Sequence, residues 1–134
     1  MSTSPEALIE AARSVRDRAH APYSHFAVGA AILTATGEIF SGCNVENASF
    51  GLTICAERNA IAAAVAAGHV EYIAIAIVSR GAATPCGACR QVLREFSEDL
   101  TIHMADASGP IQTTDLGALL PQSFASFDPS PDIE

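Results

Sequence analysis

The sequence predicts a layered α/β fold, a sheet covered by helices on both faces. Three observations carry that reading. The run from Tyr72 to Val78 contains Ile73, Ala74, Ile75, Ala76, Ile77 and Val78 without a polar break, the near-continuous apolar character of a central strand buried on both sides. Helical patterns before and after this run alternate with strand patterns. No internal repeat or linker divides the 134 residues, and a hydrophobic content of 49% is enough for one core but not two. Residues 1–134 therefore read as a single domain, with a Pro-, Ser- and Asp-rich tail from about residue 125 that is not forced into structure.

Taken in order, Ser4-Pro5 opens a helix with an apolar side of Leu8, Ala11, Ala12, Val15 and Ala19. Arg13, Arg16, Asp17 and Arg18 form its solvated face, and it ends near Ala21-Pro22. Val28 to Leu33 and Glu38 to Asn44 read as a hairpin turning at Thr36-Gly37. A loop, 45–54, leads to an alanine-rich helix from Ala56 to Ala67, preceded by Thr53 and closed by Gly68. After the central strand, Pro85 marks a second helix start, with the helix running from Cys86 to about Ser97. Leu100 to Ala105 and Ile111 to Thr114 read as short strands, and Asp115 to Leu120 as a short terminal helix.

Cysteine spacing points to the chemistry. Cys86 and Cys89 are three apart at a helix start, so their thiols face the same way within one turn. Cys55 heads the other helix, followed by Ala56, Glu57 and Arg58. Helix N-termini carry partial positive charge and favour thiolates. Three thiolates with a carboxylate beside them suit a catalytic zinc, which takes three protein ligands and leaves a fourth position open, whereas structural zinc takes four. A redox CxxC pair or buried small side chains are the competing readings, and the pairing of Cys-Ala-Glu with Pro-Cys-x-x-Cys weighs against both.

These motifs resemble the cytidine deaminases, whose (His or Cys)-x-Glu with Pro-Cys-x-x-Cys signature and mechanism are well described in general terms. The resemblance extends over about residues 7 to 124. It takes in Tyr23-Ser24-His25-Phe26-Ala27-Val28-Gly29-Ala30-Ala31, Gly42-Cys43-Asn44-Val45-Glu46-Asn47-Ala48-Ser49 and Leu119-Leu120-Pro121-Gln122-Ser123-Phe124. It implies a three-layer α/β/α domain with a mixed sheet of about five strands. It also implies zinc, one ion per subunit, on Cys55, Cys86 and Cys89, with Glu57 as general acid and base that takes a proton from water, passes it to the ring nitrogen and later protonates the departing amine.

Other roles are implied in the same way. Three thiolates leave the zinc with net negative charge, which blunts its Lewis acidity, and Arg58 offsets this by hydrogen bonding to a thiolate, with Arg90 a weaker second candidate. Asn44 and Glu46, two apart at a strand end, point to the same side and grip the ribose hydroxyls. Phe26 stacks on the pyrimidine, Ala56 contacts the substrate, and Phe124 reaches a neighbouring subunit's pocket. Phe50 stands where many relatives carry Tyr, which removes a hydroxyl near the sugar. Cys43 and the four histidines, His20, His25, His69 and His103, fit no ligand spacing.

Composition narrows the partners. The net charge of −8, with only seven basic residues and no basic stripe, argues against nucleic acid, whose binding depends on Lys and Arg neutralising phosphates. No apolar stretch approaches a membrane span and no charged leader with an apolar run opens the chain, so the expectation is a soluble, cytoplasmic protein with no membrane partner. The expected function is hydrolytic deamination of cytidine and 2′-deoxycytidine in pyrimidine salvage by a homotetramer. Three alternatives stand beside it: deamination of a cytosine-nucleoside antibiotic such as blasticidin S, a nucleic-acid editor, which the charge disfavours, and a non-enzymatic structural zinc module or inactive scaffold.

Overall fold

Ser4 starts the first helix, α1 (Pro5–Arg16): its hydroxyl accepts from the Ala7 N–H at 3.1 Å and Pro5 follows directly. The structure, a computed structural model, describes residues 3–127 and 129; the remainder of the expected loose tail lies outside the described residues. The helix stops at Arg16, short of the expected Ala21-Pro22. The reason is local. The His20 N–H donates to Asn44 O and the Glu46 N–H to His20 O, so this backbone is drawn into pairing beside Val45, which helical geometry forbids. Its buried side is accordingly Leu8, Ile9 and Ala12, without Ala19. Nor are its arginines simply solvated. Arg16 Nε donates to Ala27 O at 2.9 Å, and Arg13 pairs with Glu10 and reaches Ala107 O.

The remaining elements are β1 (Val28–Thr34), β2 (Ile39–Cys43), α2 (Ala56–Ala66), β3 (Tyr72–Ser79), α3 (Gly87–Phe96), β4 (Thr101–Ala105), β5 (Gln112–Asp115) and α4 (Leu116–Leu119). The expected loop 45–54 contains one 3-10 turn, Phe50–Leu52. The five strands form one sheet in the order β2-β1-β3-β4-β5, parallel only between β3 and β4 and antiparallel elsewhere. This is the mixed five-stranded sheet expected, with β3 in the middle. The start of α3 is one residue later than expected. Cys86 is the N-cap, with an extended backbone, and Pro85 precedes it, which agrees with the restriction that proline places on its neighbourhood.

Alternate residues of each central strand face opposite layers. Ala30, Ile32, Ile75 and Ile77 pack against Ala56, Ala60, Ile61 and Ala64 of α2, Leu93 of α3 and Leu116 of α4. Ala31, Leu33, Ala74, Ala76 and Val78 pack against Leu8, Ile9 and Ala12 of α1. Two glycines set how closely the layers approach. A Cβ on Gly29 would lie 1.9 Å from Ala12 O, and one on Gly42 would lie 2.5 Å from Ala60 N. Gly42 opposes Ala30 in the register of β1 and β2, so it fixes α2 directly over the paired strands.

Gly42→Ala therefore forces backbone apart and should destabilise the domain by about 1–3 kcal/mol or more, measured by urea unfolding. Gly51→Ala is the internal comparison, because its added Cβ meets nothing within 4 Å, and its change should stay within about 0.5 kcal/mol. Equal effects from the two substitutions would contradict the close-approach account.

Candidate active site

Helices α2 and α3 begin side by side where β3 ends. Cys55 caps α2 and Cys86 caps α3, and Cys89 lies in the first turn of α3. Their sulfurs all lie within 4.8 Å of one another, with Cys55 to Cys86 at 3.9 Å and Cys86 to Cys89 at 3.4 Å. Zinc–sulfur bonds of about 2.3 Å in a tetrahedron require sulfurs about 3.8 Å apart, so the trio is already spaced for that ion. Among the described residues, no other group of three or more metal-ligating side chains closes together. The donor set is soft and three-membered, and one position would stay free for water or substrate. The residues present fit a catalytic zinc.

Glu57 stands in the first turn of α2 and is 5% exposed. Burial is the main cause that pushes its carboxyl up to about 6, and the negative Cys55 beside it adds to the effect. Cys55 moves the other way, down to about 5, first because the Cys89 thiol donates to it and then through Arg58 and Cys86. The same hydrogen bond, with burial, pushes the Cys89 thiol up. Cys55 and Cys89 thus move in opposite directions, with thiolate favoured at Cys55 over Cys89.

In front of the sulfurs lies a cavity of about 250 Å³. Cys55, Ala56, Glu57 and Cys86 line it together with Phe26, Asn44 and Glu46, and Ser24, Val28, Thr53, Ile77, Ser79, Ala83 and Thr84 complete the wall. Such a volume, largely apolar with a few convergent polar groups, suits a small organic molecule.

Comparison with known proteins decides the family. The model of the cytidine and deoxycytidylate deaminase zinc-binding region matches residues 2–105. The chain belongs to this family. A cytidine deaminase from Sporosarcina psychrophila is 41% identical over 126 residues, covering 92% of this chain and 93% of its own. The crystal structure of cytidine deaminase from Burkholderia pseudomallei superposes with a TM-score of 0.87 at 49% identity, covering 91% of this chain and all of that one. A blasticidin-S deaminase from Bacillus cereus stands further off, 32% identical over 107 residues, 72% of this chain and 76% of its own.

Within the family frame, the expected residues fall into two sets. Those that line the cavity are Cys55, Cys86, Glu57, Ala56, Phe26, Asn44 and Glu46. Cys89 lies buried beneath them at the sulfur cluster. Phe50 does not reach this cavity. It is 72% exposed, packs edge-on against Tyr23, and lines an adjoining hollow with Tyr23, Ser24, Glu46 and Thr53. Phe124 is also far out, 66% exposed, with its carbonyl accepting from Gln91.

The two arginines separate cleanly. Arg58 donates to Cys55 Sγ at 3.6 Å and to Thr53 O at 3.3 Å, while its Nε is buried with no partner among the described residues. Arg90 touches no sulfur. It donates to Pro85 O, Leu119 O and Thr84 Oγ1, and so ties the start of α3 to the end of α4.

Ser24 has a role the sequence reading did not assign. Its hydroxyl and N–H, with the Tyr23 N–H, donate to the Glu46 carboxylate, which holds that carboxyl below its ordinary range, the Ser24 side chain contributing most. Asn44 is likewise partly engaged: Oδ1 accepts from Val28 N–H and Nδ2 donates to Phe26 O. Each amide group keeps one free valence, one donor and one acceptor, for a ligand. The signal for Ser24 was its place in the Tyr-Ser-x-Phe block, but only folding brings it across to Glu46.

Glu57 carries a stability cost as well as a chemical opportunity. Its carboxyl is raised from 4.5 to about 6, so the folded state holds the proton more tightly than the unfolded one, and stability falls as pH rises through that window. Above it the buried carboxylate costs about 2 kcal/mol, taking 1.36 kcal/mol per unit. Glu57→Gln should therefore unfold at higher urea than the parent above pH 6, and the gap should vanish by about pH 4.5, both proteins being compared free of metal. A gap that does not change with pH would contradict the burial account. A second outcome concerns Arg58: Arg58→Ala should weaken zinc retention about 10–100-fold in competition with a chelator, and undiminished retention would remove Arg58 from the centre.

Proposed function

We propose that this family member is a hydrolase that deaminates cytidine and 2′-deoxycytidine to uridine and 2′-deoxyuridine with release of ammonia. The observation that carries the reading is the convergence of three sulfurs beside a buried carboxyl on the wall of a cavity of about 250 Å³. Cys55, Cys86 and Cys89 would hold the zinc. When bound, the ion supplies Lewis acidity, which lowers the pKa of water and makes it nucleophilic at neutral pH.

The chain's own residues account for the rest. Glu57, with its carboxyl near 6, is suited to take a proton at neutral pH, since it is ionised but not strongly acidic. From the first turn of α2 it receives one proton of the attacking water at a carboxylate oxygen and passes it to the ring nitrogen, where it stays; it then carries the second proton, from the hydroxyl formed at the ring carbon, to the amino group, which leaves as ammonia. Burial keeps bulk water from taking that proton instead. Arg58 places positive charge at Cys55 and so limits electron donation by the thiolates. Phe26 offers a ring to the pyrimidine, and Ala56 a close backbone at the head of α2.

Glu46 and Asn44 are the ribose grip. Ser24 and Tyr23 pre-set the Glu46 carboxylate as an acceptor, and a fixed carboxylate favours a free hydroxyl over a phosphate diester at the same place. This supports a nucleoside rather than a nucleotide within a strand, in agreement with the net charge of −8. The exposed Tyr23, Phe50, Leu52 and Phe124 support association with further copies of the chain. A homotetramer whose neighbouring copies complete the pocket, with one zinc per subunit and a role in pyrimidine salvage in the cytoplasm, is part of the same proposal. No helix is long and apolar enough to cross a membrane among the described residues.

The test is the ultraviolet change and ammonia release with cytidine, deoxycytidine, cytosine, the monophosphate and blasticidin S in parallel. Turnover of the two nucleosides well above the rest is expected, and activity confined to blasticidin S or absent throughout would overturn the proposal. Glu57→Gln should keep zinc and lose at least about 100-fold in kcat. Glu46→Ala should raise KM for cytidine more than it lowers kcat.

A further inference from the structure

Two turns at the cavity rim are held in unusual backbone. His25, just before Phe26, has φ 58°, and Ala82, two residues after Arg80, has φ 51°, with Gly81 between them at φ 80°. Residues other than glycine persist in this left-handed region only where their surroundings hold them there. The two turns bring Arg80 over Phe26, with the guanidinium carbon 5.3 Å from the ring centroid. Among the described residues Arg80 has no side-chain hydrogen bond or ion pair. Asp106, whose carboxylate feels the Arg80 charge, is occupied by the N–H groups of Gly81 and Ala107.

The ring meets both the cavity and the guanidinium. Phe26 lines the cavity, as do Ser79 before Arg80 and Ala83 and Thr84 after it, but Arg80 itself does not. The guanidinium therefore covers the ring from outside the cavity. The backbone of Phe26 is already fixed at both ends, its N–H donating to Ser24 Oγ at 3.0 Å and its carbonyl accepting from Asn44 Nδ2 at 2.8 Å. What those bonds leave free is the ring torsion.

We propose that Arg80 is a positioning residue for the nucleoside: its guanidinium clamps the Phe26 ring from the rim and holds it as a fixed wall for the pyrimidine. The inference deepens the reading of Phe26 as the pyrimidine wall and rests on it. A wall ordered before binding spares the substrate the entropy of ordering it, so the effect falls on KM and not on proton transfer at Glu57. A cation over an aromatic ring at an exposed site is a modest contact, which corresponds to a change of about 2- to 5-fold in KM.

Arg80→Met, which keeps length and loses the charge, should raise KM for cytidine about 2- to 5-fold with kcat within about twofold of the parent. Arg80→Lys should recover part of the loss. In a Phe26→Leu background the Arg80→Met step should have no effect on KM, because the ring it clamps is gone. An unchanged KM in Arg80→Met, or the same rise in both backgrounds, overturns the proposal. A second readout needs no turnover: in protein labelled with 4-fluorophenylalanine, the Phe26 fluorine line, assigned by its loss in Phe26→Leu, should shift in Arg80→Met. If the parent fails to deaminate cytidine, the functional reading falls and the clamp is judged on this line alone, where an unmoved resonance overturns it.

Discussion

Three sulfurs close enough to share one ion make a demand that the rest of the fold has to meet. Thiolates repel one another, and each wants a proton or a cation. Here two helix N-termini supply unpaired N–H groups, the Cys89 N–H donates to Cys86 Sγ, and Arg58 donates to Cys55 Sγ. The sulfurs can stay together only while α2 and α3 stay together. That in turn depends on how each helix is seated on the sheet.

The seating is a matter of small residues at contacts. Gly42 lets α2 lie against the paired strands with almost no clearance, and Ala56, Ala60 and Ala64 give the helix a flat buried side. Asn59 adds a bond from α2 to Cys43 O at 2.8 Å, so the same helix that carries Cys55, Glu57 and Arg58 is tied to the strand end leading into Asn44 and Glu46. Arg90 does the corresponding task for α3, anchoring its first turn to Pro85 and Leu119. The sulfur cluster and the strand end that carries Asn44 and Glu46 are therefore mechanically one unit. A change in helix seating would be felt at both.

Electrostatics follows from the same packing. Glu57 is buried because α2 starts against the sheet, and burial places its carboxyl near neutrality, where it can both take and give a proton. Glu46 is held low by donors from the Tyr23-Ser24 turn. Two carboxylates lining one cavity thus have opposite tendencies, one raised and one lowered, and the difference lies entirely in what surrounds them.

Local chemistry was legible in the chain itself. Ser4-Pro5, Thr36-Gly37 and Gly68 mark ends and turns, the apolar run at 73–78 marks the central strand, and the cysteine spacings mark the helix starts at which three sulfurs converge, because each signal rests on neighbours within a turn or a strand. Tertiary structure decided what depends on distant partners. It ended α1 at Arg16 by recruiting His20 to Val45, gave the sulfur to Arg58 and the α4 carbonyl to Arg90, and brought Ser24 to Glu46 across 22 positions of chain. It also set Phe50 and Phe124 outside the cavity of a single chain. Periodicity and spacing record which face a residue occupies, but which donor meets which acceptor is fixed only when the layers close.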